Sequence, residues 1–156
     1  MDFPDGLRLV LELEGGKADV PGDRGGRTAY GITQATYDEW REDRDLPPVD
    51  VWKITQTEVE AIYSERYWYA TGCDKIPGRL AVAAFQAAVH SGPAKARGWL
   101  AAVRWAEALE ECQVFAFLSL QRDFLMRLAQ RAGQEKFRRG WENRISKTLA
   151  FTMRVV

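Results

Sequence analysis

The sequence predicts a predominantly α-helical α+β fold with one small β element near the N-terminus. Apolar residues recur at helical spacing over most of the chain, and Gly and Pro pairs fall between those stretches and mark their ends. The exception is Lys17 to Ile32, where turn formers dominate. At 156 residues, 46% hydrophobic and 28% charged, the chain reads as one globular domain, 1–156, with room for a single core.

Pro4 suits the first turn of a helix running to about Glu14, with Asp2 and Asp5 near its positive end and Gly15-Gly16 as the stop. Leu7, Val10 and Leu11 follow i, i+3, i+4, and the next position of that stripe is Glu14. Glu12 falls on the other side, within i+4 reach of Arg8, and reads as a solvent-facing ion pair. Glu14 instead points toward the interior or a cleft wall at the helix's negative end, where desolvation and the dipole raise a carboxyl pKa. Pro21-Gly22 and Gly25-Gly26 then reverse the chain twice, as a small irregular hairpin or Ω-type loop over a cleft.

Thr33 caps a helix to about Arg44, and LPPVD interrupts before T-Q-T-E, a capping box at Thr55 and Glu58 that opens a helix to about Ala70. Val59, Ile62, Tyr63 and Arg66 or Tyr67 line one side of it. RLAVAAFQAAVHSG is apolar nearly all round and so central, ending at Gly92-Pro93. Helices over Ala94 to Leu109, Glu110 to Arg131 and Gln134 to about Met153 complete six or seven.

Charge and rare residues exclude several chemistries. Cys73 and Cys112 have no metal-ligand spacing and there is one histidine, His90, so a metal site, a Ser-His-Asp triad and a Cys-His pair lack support. Both cysteines read as buried small apolar residues, and Trp99, Trp105 and Trp141 as core. No cofactor is implied. The N-terminus lacks a basic region followed by an apolar stretch, and no run approaches the roughly 18 apolar residues of a membrane span. The expectation is a protein made in the cytoplasm without a visible signal peptide. Net charge is zero, yet residues 1–60 sum to −7 and 61–156 to +7, with the excess concentrated after Arg122. That basic face either meets a polyanion or neutralises the acidic half within the domain.

Glu14, Asp23 and Thr28 form E-x8-D-x4-T, the first at a helix end and the others on a constrained turn. A sheltered carboxylic acid facing a solvated carboxylate is what glycosidic hydrolysis requires: one protonates the leaving oxygen, the other handles water or the developing cation. At this loose spacing the bland readings stay open: a frayed helix-end acid, a turn former and a strand residue.

The surrounding wording adds to this. E14-G-G-K-A-D-V-P-G-D-R-G-G-R-T28-A-Y-G-I-T33 resembles the start of glycoside hydrolase family 108, the lysozyme-like N-acetylmuramidases of phages and bacteria. IYSERYW with GCDKIP, LAVAAFQAAVHSG and FRRGWENRI are similar to later segments of that family. The resemblance implies a lysozyme-like fold and hydrolysis of the β-1,4 bond between N-acetylmuramic acid and N-acetylglucosamine in peptidoglycan. It makes Glu14 the proton donor, with Asp23 and Thr28 holding the attacking water. It further implies a phage endolysin or prophage relative, acting as a monomer on the wall after release. The basic C-terminal helices would hold anionic envelope polymers or the outer membrane, and no nucleic acid is expected.

The chain departs from the family at Lys17, at Asp19-Val20, at Gln86 and His90 within F-Q-A-A-V-H-S-G, and at WLAAVRWAEALEE, which replaces a wall-binding segment. Tyr30, Gln34, Trp68 and His90 are the candidates for binding sugar, with Tyr67 and Tyr69 behind them; as a lone histidine on an apolar helix, His90 reads first as a group that caps or satisfies a buried polar one. The rivals are a lytic transglycosylase using Glu14 alone and a catalytically silent wall- or nucleic-acid-binding module.

Overall fold

The opening stripe forms helix α1, Phe3–Glu14, in a computed structural model that describes residues 1–15, 18 and 19, 27–103 and 109–154. Asp2 and Asp5 close a capping box around its first turn, with Pro4 inside it. Leu7 and Val10 enter the main core, while Leu9 packs with Val82 and Phe151 in a satellite cluster. Arg8 pairs with Asp5 at 2.9 Å and exposed Glu12 meets Lys147 at 3.6 Å, so the expected Arg8–Glu12 pair is not formed. The nearer acid one turn back wins Arg8.

Three short strands, β1 (Ala18–Asp19), β2 (Arg27–Ala29) and β3 (Ile32–Thr33), make an antiparallel sheet in that order. Thr28 lies opposite both Ala18 and Thr33. Tyr30 and Gly31 join β2 to β3 with φ of 53° and 76°, the positive pair that a two-residue hairpin of matching twist demands. Buried Ala29 and Ile32 fix the hairpin to the core. The Trp52 indole donates to the Thr28 carbonyl at 3.2 Å, and Arg27 lies over the Trp52 ring.

Helix α2 (Gln34–Glu42) starts at the Thr33 cap, and α3 (Gln56–Tyr63) at the Thr55–Glu58 capping box. Glu58 also takes Arg41 at 2.6 Å, tying the two helices together. Helix α3 runs on as a π-helical turn, Ser64–Tyr69. Helix α4 (Gly78–Ser91) is buried from Leu80 to Ala88 and packs against α1, α5 (Pro93–Val103), α6 (Glu110–Ala129) and α7 (Arg138–Thr152). Gln86 crosses from it to Gln121 on α6, donating through Nε2 at 2.7 Å.

The described residues thus give seven α-helices and one small sheet, the lysozyme-like α+β fold expected. Cys73 is buried, which pushes its thiol up to about 12, but Cys112 is exposed on α6, against the expectation for it; both are free. Trp99, expected in the core, is half-buried at its edge and packs edge-on to Phe117. Trp105 lies outside the described residues.

Candidate active site

Helix α1 ends where it does because Gly15 takes φ +80°, and this leaves Glu14 as the last helical side chain, 23% exposed. Two elements close over its stem. The Tyr30-Gly31 turn comes so near that a Cβ on Gly31 would lie 3.0 Å from the Glu14 Cβ and 2.9 Å from the Tyr63 hydroxyl. Only glycine fits both that space and the positive φ. The Tyr63 hydroxyl donates to the Tyr30 carbonyl at 2.6 Å, locking the turn to α3. Burial raises the Tyr63 pKa far above the ordinary phenol value, and the charge of Glu14 adds to it, so this hydroxyl stays a donor. Tyr67 lies in contact with Tyr63, their centroids 5.7 Å apart, and is raised for the same first reason.

On its other side Glu14 meets α7. Arg144 Nη2 donates to Glu14 Oε1 at 2.7 Å, with the arginine side chain only 11% exposed. Arg144 Nη1 is buried with no hydrogen-bond partner among the described residues. The wall facing Glu14 is therefore a guanidinium, because α7 folds back across the end of α1. Sequence reasoning missed Arg144. The signal was present: Trp141, Ile145, Thr148 and Thr152 turn inward along α7, and Arg144 sits within that stripe as Glu14 sits within its own.

Beyond Arg144 opens a cavity of about 450 Å³ lined by His90, Trp141, Phe137, Lys136 and Lys147 among others. Trp141 is thus a cavity-wall residue, half-buried, rather than the core residue expected. His90 meets the Trp141 ring edge-on at 6.4 Å and has Ser91 Oγ 3.2 Å from Nδ1. Burial first and the Arg144 charge second push the His90 pKa down to about 4, with Glu14 partly opposing both. At neutral pH the imidazole is uncharged.

The remaining candidates separate. Trp68 is 7% exposed and wedged edge-on against Phe3 and Phe85, with centroids at 5.6 and 5.4 Å; it is a core residue with no face free for a sugar. The Gln34 amide donates to Asp38 and to the Val49 carbonyl and accepts from the Val51 N–H, so it pins the 49–51 segment to α2 instead of reaching for substrate. Tyr30 stands half-buried at the turn over Glu14, and Thr28 half-buried on the middle strand. Asp23 lies outside the described residues. Tyr69 is 60% exposed. Among the described residues no His, Cys, Asp and Glu cluster has the make-up of a metal site, and no helix is long and apolar enough to cross a membrane.

The family profile described as Glycosyl hydrolase 108 matches residues 7–92, from α1 through the end of α4, and so includes Glu14, Tyr63 and His90. Among solved structures, that of Brucella abortus SagA is similar at 29% identity and a TM-score of 0.75, covering 97% of this chain and 96% of that one. Its likeness therefore extends over α5 to α7, where Arg144 and Trp141 lie. No curated protein sequence matches the chain. With the profile on more than half of its length, the chain belongs to glycoside hydrolase family 108.

Proposed function

We propose that the chain is an N-acetylmuramidase, cleaving the β-1,4 bond between N-acetylmuramic acid and N-acetylglucosamine with Glu14 as proton donor. The observation that carries this reading is the setting of Glu14: a helix-end carboxyl, partly open to solvent, gripped by Arg144 at 2.7 Å and by the Gly31 turn on its stem. Hydrolysis requires the glycosidic oxygen to gain a proton as its bond to the anomeric carbon breaks, and water to add to that carbon. The Glu14 carboxyl supplies the proton and is left as a carboxylate. Arg144, which already donates to one carboxylate oxygen, stabilises that anion and keeps the side chain in one rotamer.

Asp23 and Thr28 are assigned to the attacking water, on the family wording alone. The same reading makes the chain an endolysin-type enzyme made in the cytoplasm and acting as a monomer on the wall after release. The exposed arginines of α6 and α7, including Arg122, Arg127, Arg138 and Arg139, would hold it on anionic envelope polymers.

The test is loss of turbidity on purified sacculi. The parent chain should clear them and Glu14→Gln should not, with far-UV helicity retained. Mass spectrometry of the products should show hydrated reducing ends. Activity surviving in Glu14→Gln would remove the acid from the mechanism, and anhydromuramoyl ends would replace hydrolysis with transglycosylation.

A further inference from the structure

The cavity beside Glu14 is chemically one-sided. Lys136, Arg144 and Lys147 bring three cations to its wall, and no described carboxylate lines it. These cations are incompletely matched. Arg144 spends Nη2 on Glu14 and leaves Nη1 unpartnered among the described residues. Lys147 has a long contact, 3.6 Å, to exposed Glu12. Lys136 makes no ion pair among the described residues and lies 5.0 Å over the Phe137 ring. His90, neutral at pH 7, adds no charge of its own.

The rest of the wall is aromatic. The Phe137 and Trp141 rings stack at 5.8 Å with 27° between their planes, and Phe137 is 45% exposed. Cations beside an aromatic face, in a space of about 450 Å³, suit a ligand with a carboxylate and an apolar or pyranose face. N-acetylmuramic acid differs from N-acetylglucosamine by such a group: a 3-O-lactyl substituent whose carboxyl is either free or extended as a peptide bearing further carboxylates.

We propose that this cavity receives the carboxylate-bearing 3-O-lactyl substituent of the muramic residue next to the scissile bond, with Lys136 and Lys147 pairing the carboxylate and Trp141 flanking it. The proposal rests on the muramidase reading of Glu14. It makes the two lysines specificity determinants, outside the proton-transfer machinery. The wall is contributed by α7 and the turn before it, which carries Lys136 and Phe137, together with Leu13 of α1 and His90 in the last turn of α4.

His90 is the single histidine of the chain, so its imidazole signals report on this wall without ambiguity. The full chain is titrated by NMR with N-acetylmuramyl-L-alanyl-D-isoglutamine, with N-acetylmuramic acid and with N-acetylglucosamine, none of which has a bond for the enzyme to cut. The two acids should shift the His90 and Trp141 side-chain signals, and the neutral sugar should not. Tighter binding of the peptidyl compound, whose lactyl carboxyl is an amide, assigns the carboxylate to the stem peptide; tighter binding of N-acetylmuramic acid assigns it to the free lactyl group.

Lys136→Glu with Lys147→Glu should weaken acid binding at least tenfold. The milder Lys136→Gln with Lys147→Gln should lower it in the same direction, keeping the test valid if charge reversal disturbs the fold. On sacculi the double variants should raise KM with kcat unchanged. Equal binding of N-acetylglucosamine, or a Kd within twofold of the parent in both double variants, would overturn the proposal. Because the probes are not cleaved, that result is separable from inactivity of the parent on sacculi, which would instead overturn the muramidase reading.

Discussion

Protonation of His90 should cost the folded state stability between pH 7 and pH 4, and the sign follows from the direction of its shift. Its pKa is pushed down to about 4 by burial first and by Arg144 second, whereas an unfolded histidine titrates near 6.5. Between those values the unfolded chain holds a proton that the folded chain refuses. Stability is therefore complete above about pH 6.5, falls as pH drops toward 4, and is indifferent to this group below that. A gap of about 2.5 units at 1.36 kcal/mol each is about 3 kcal/mol in total, and about 2 kcal/mol of it is already lost at pH 5. For a domain of this size that is a fall in Tm of about 4–8 °C from pH 7.5 to pH 5.

Thermal melts at the two pH values measure the fall, and His90→Asn, which cannot titrate there, should lose most of it. As the chain has no other histidine, an NMR titration reads the pKa directly. An imidazole titrating near 6.5 in the folded protein, or a His90→Asn variant with the parent's acid sensitivity, would refute the burial argument.

Glu58→Gln should destabilise by about 1–2 kcal/mol through its lost charge opposite Arg41, read from urea midpoints. Burial alone would raise the Glu58 pKa, but the Thr55 N–H, the Tyr37 and Thr55 hydroxyls and the Arg41 charge outweigh it and hold it below the usual value. Its contribution is thus present above the unfolded carboxyl pKa and lost as pH falls below it, a loss that Glu58→Gln should not show. Arg144→Met should lower kcat on sacculi by at least about tenfold while costing only about 1–2 kcal/mol of stability, since removing the guanidinium also removes the orphaned Nη1; an unchanged rate would separate Arg144 from the acid. Gly31→Ala should cost more than Gly133→Ala in chemical denaturation, although both glycines have φ near +77°, because a Cβ at Gly133 meets nothing while one at Gly31 strikes Tyr63 and the stem of Glu14. The first should also reduce activity, and equal effects at the two positions would contradict the packing described at the turn.

What was legible in the sequence was local. The capping boxes at Asp2–Asp5 and Thr55–Glu58 lie within one helical turn, and each forms as its spacing demands. Glu14 stood out because a 3.6-residue period assigns each position a face. The same period misplaced Trp68. From Ile62 and Tyr63 an α-helix brings Arg66 or Tyr67 inward next, but the chain widens into a π turn at Ser64–Tyr69, and the buried position moves on to Trp68. Gln34 is tied into the fold for a different reason: its partners, Val49 and Val51, arrive on a segment whose path is set by tertiary contacts.

The pairing of Glu14 with Arg144 spans 130 positions, and no local rule links them. Each residue taken alone is a charged group on an otherwise uncharged, inward-facing helical stripe, a costly placement unless something answers it. Each is the answer to the other, so two such oddities in one sequence are better read as a candidate pair than as two exceptions. The profile match ends at Gly92 and holds only one of the two. The acid thus belongs to the matched segment, whereas the cation that holds it and most of the cavity wall beside it come from α7. Substitutions in α7 should therefore change which glycans are taken, and how well the acid is held, without touching the residues that the match covers.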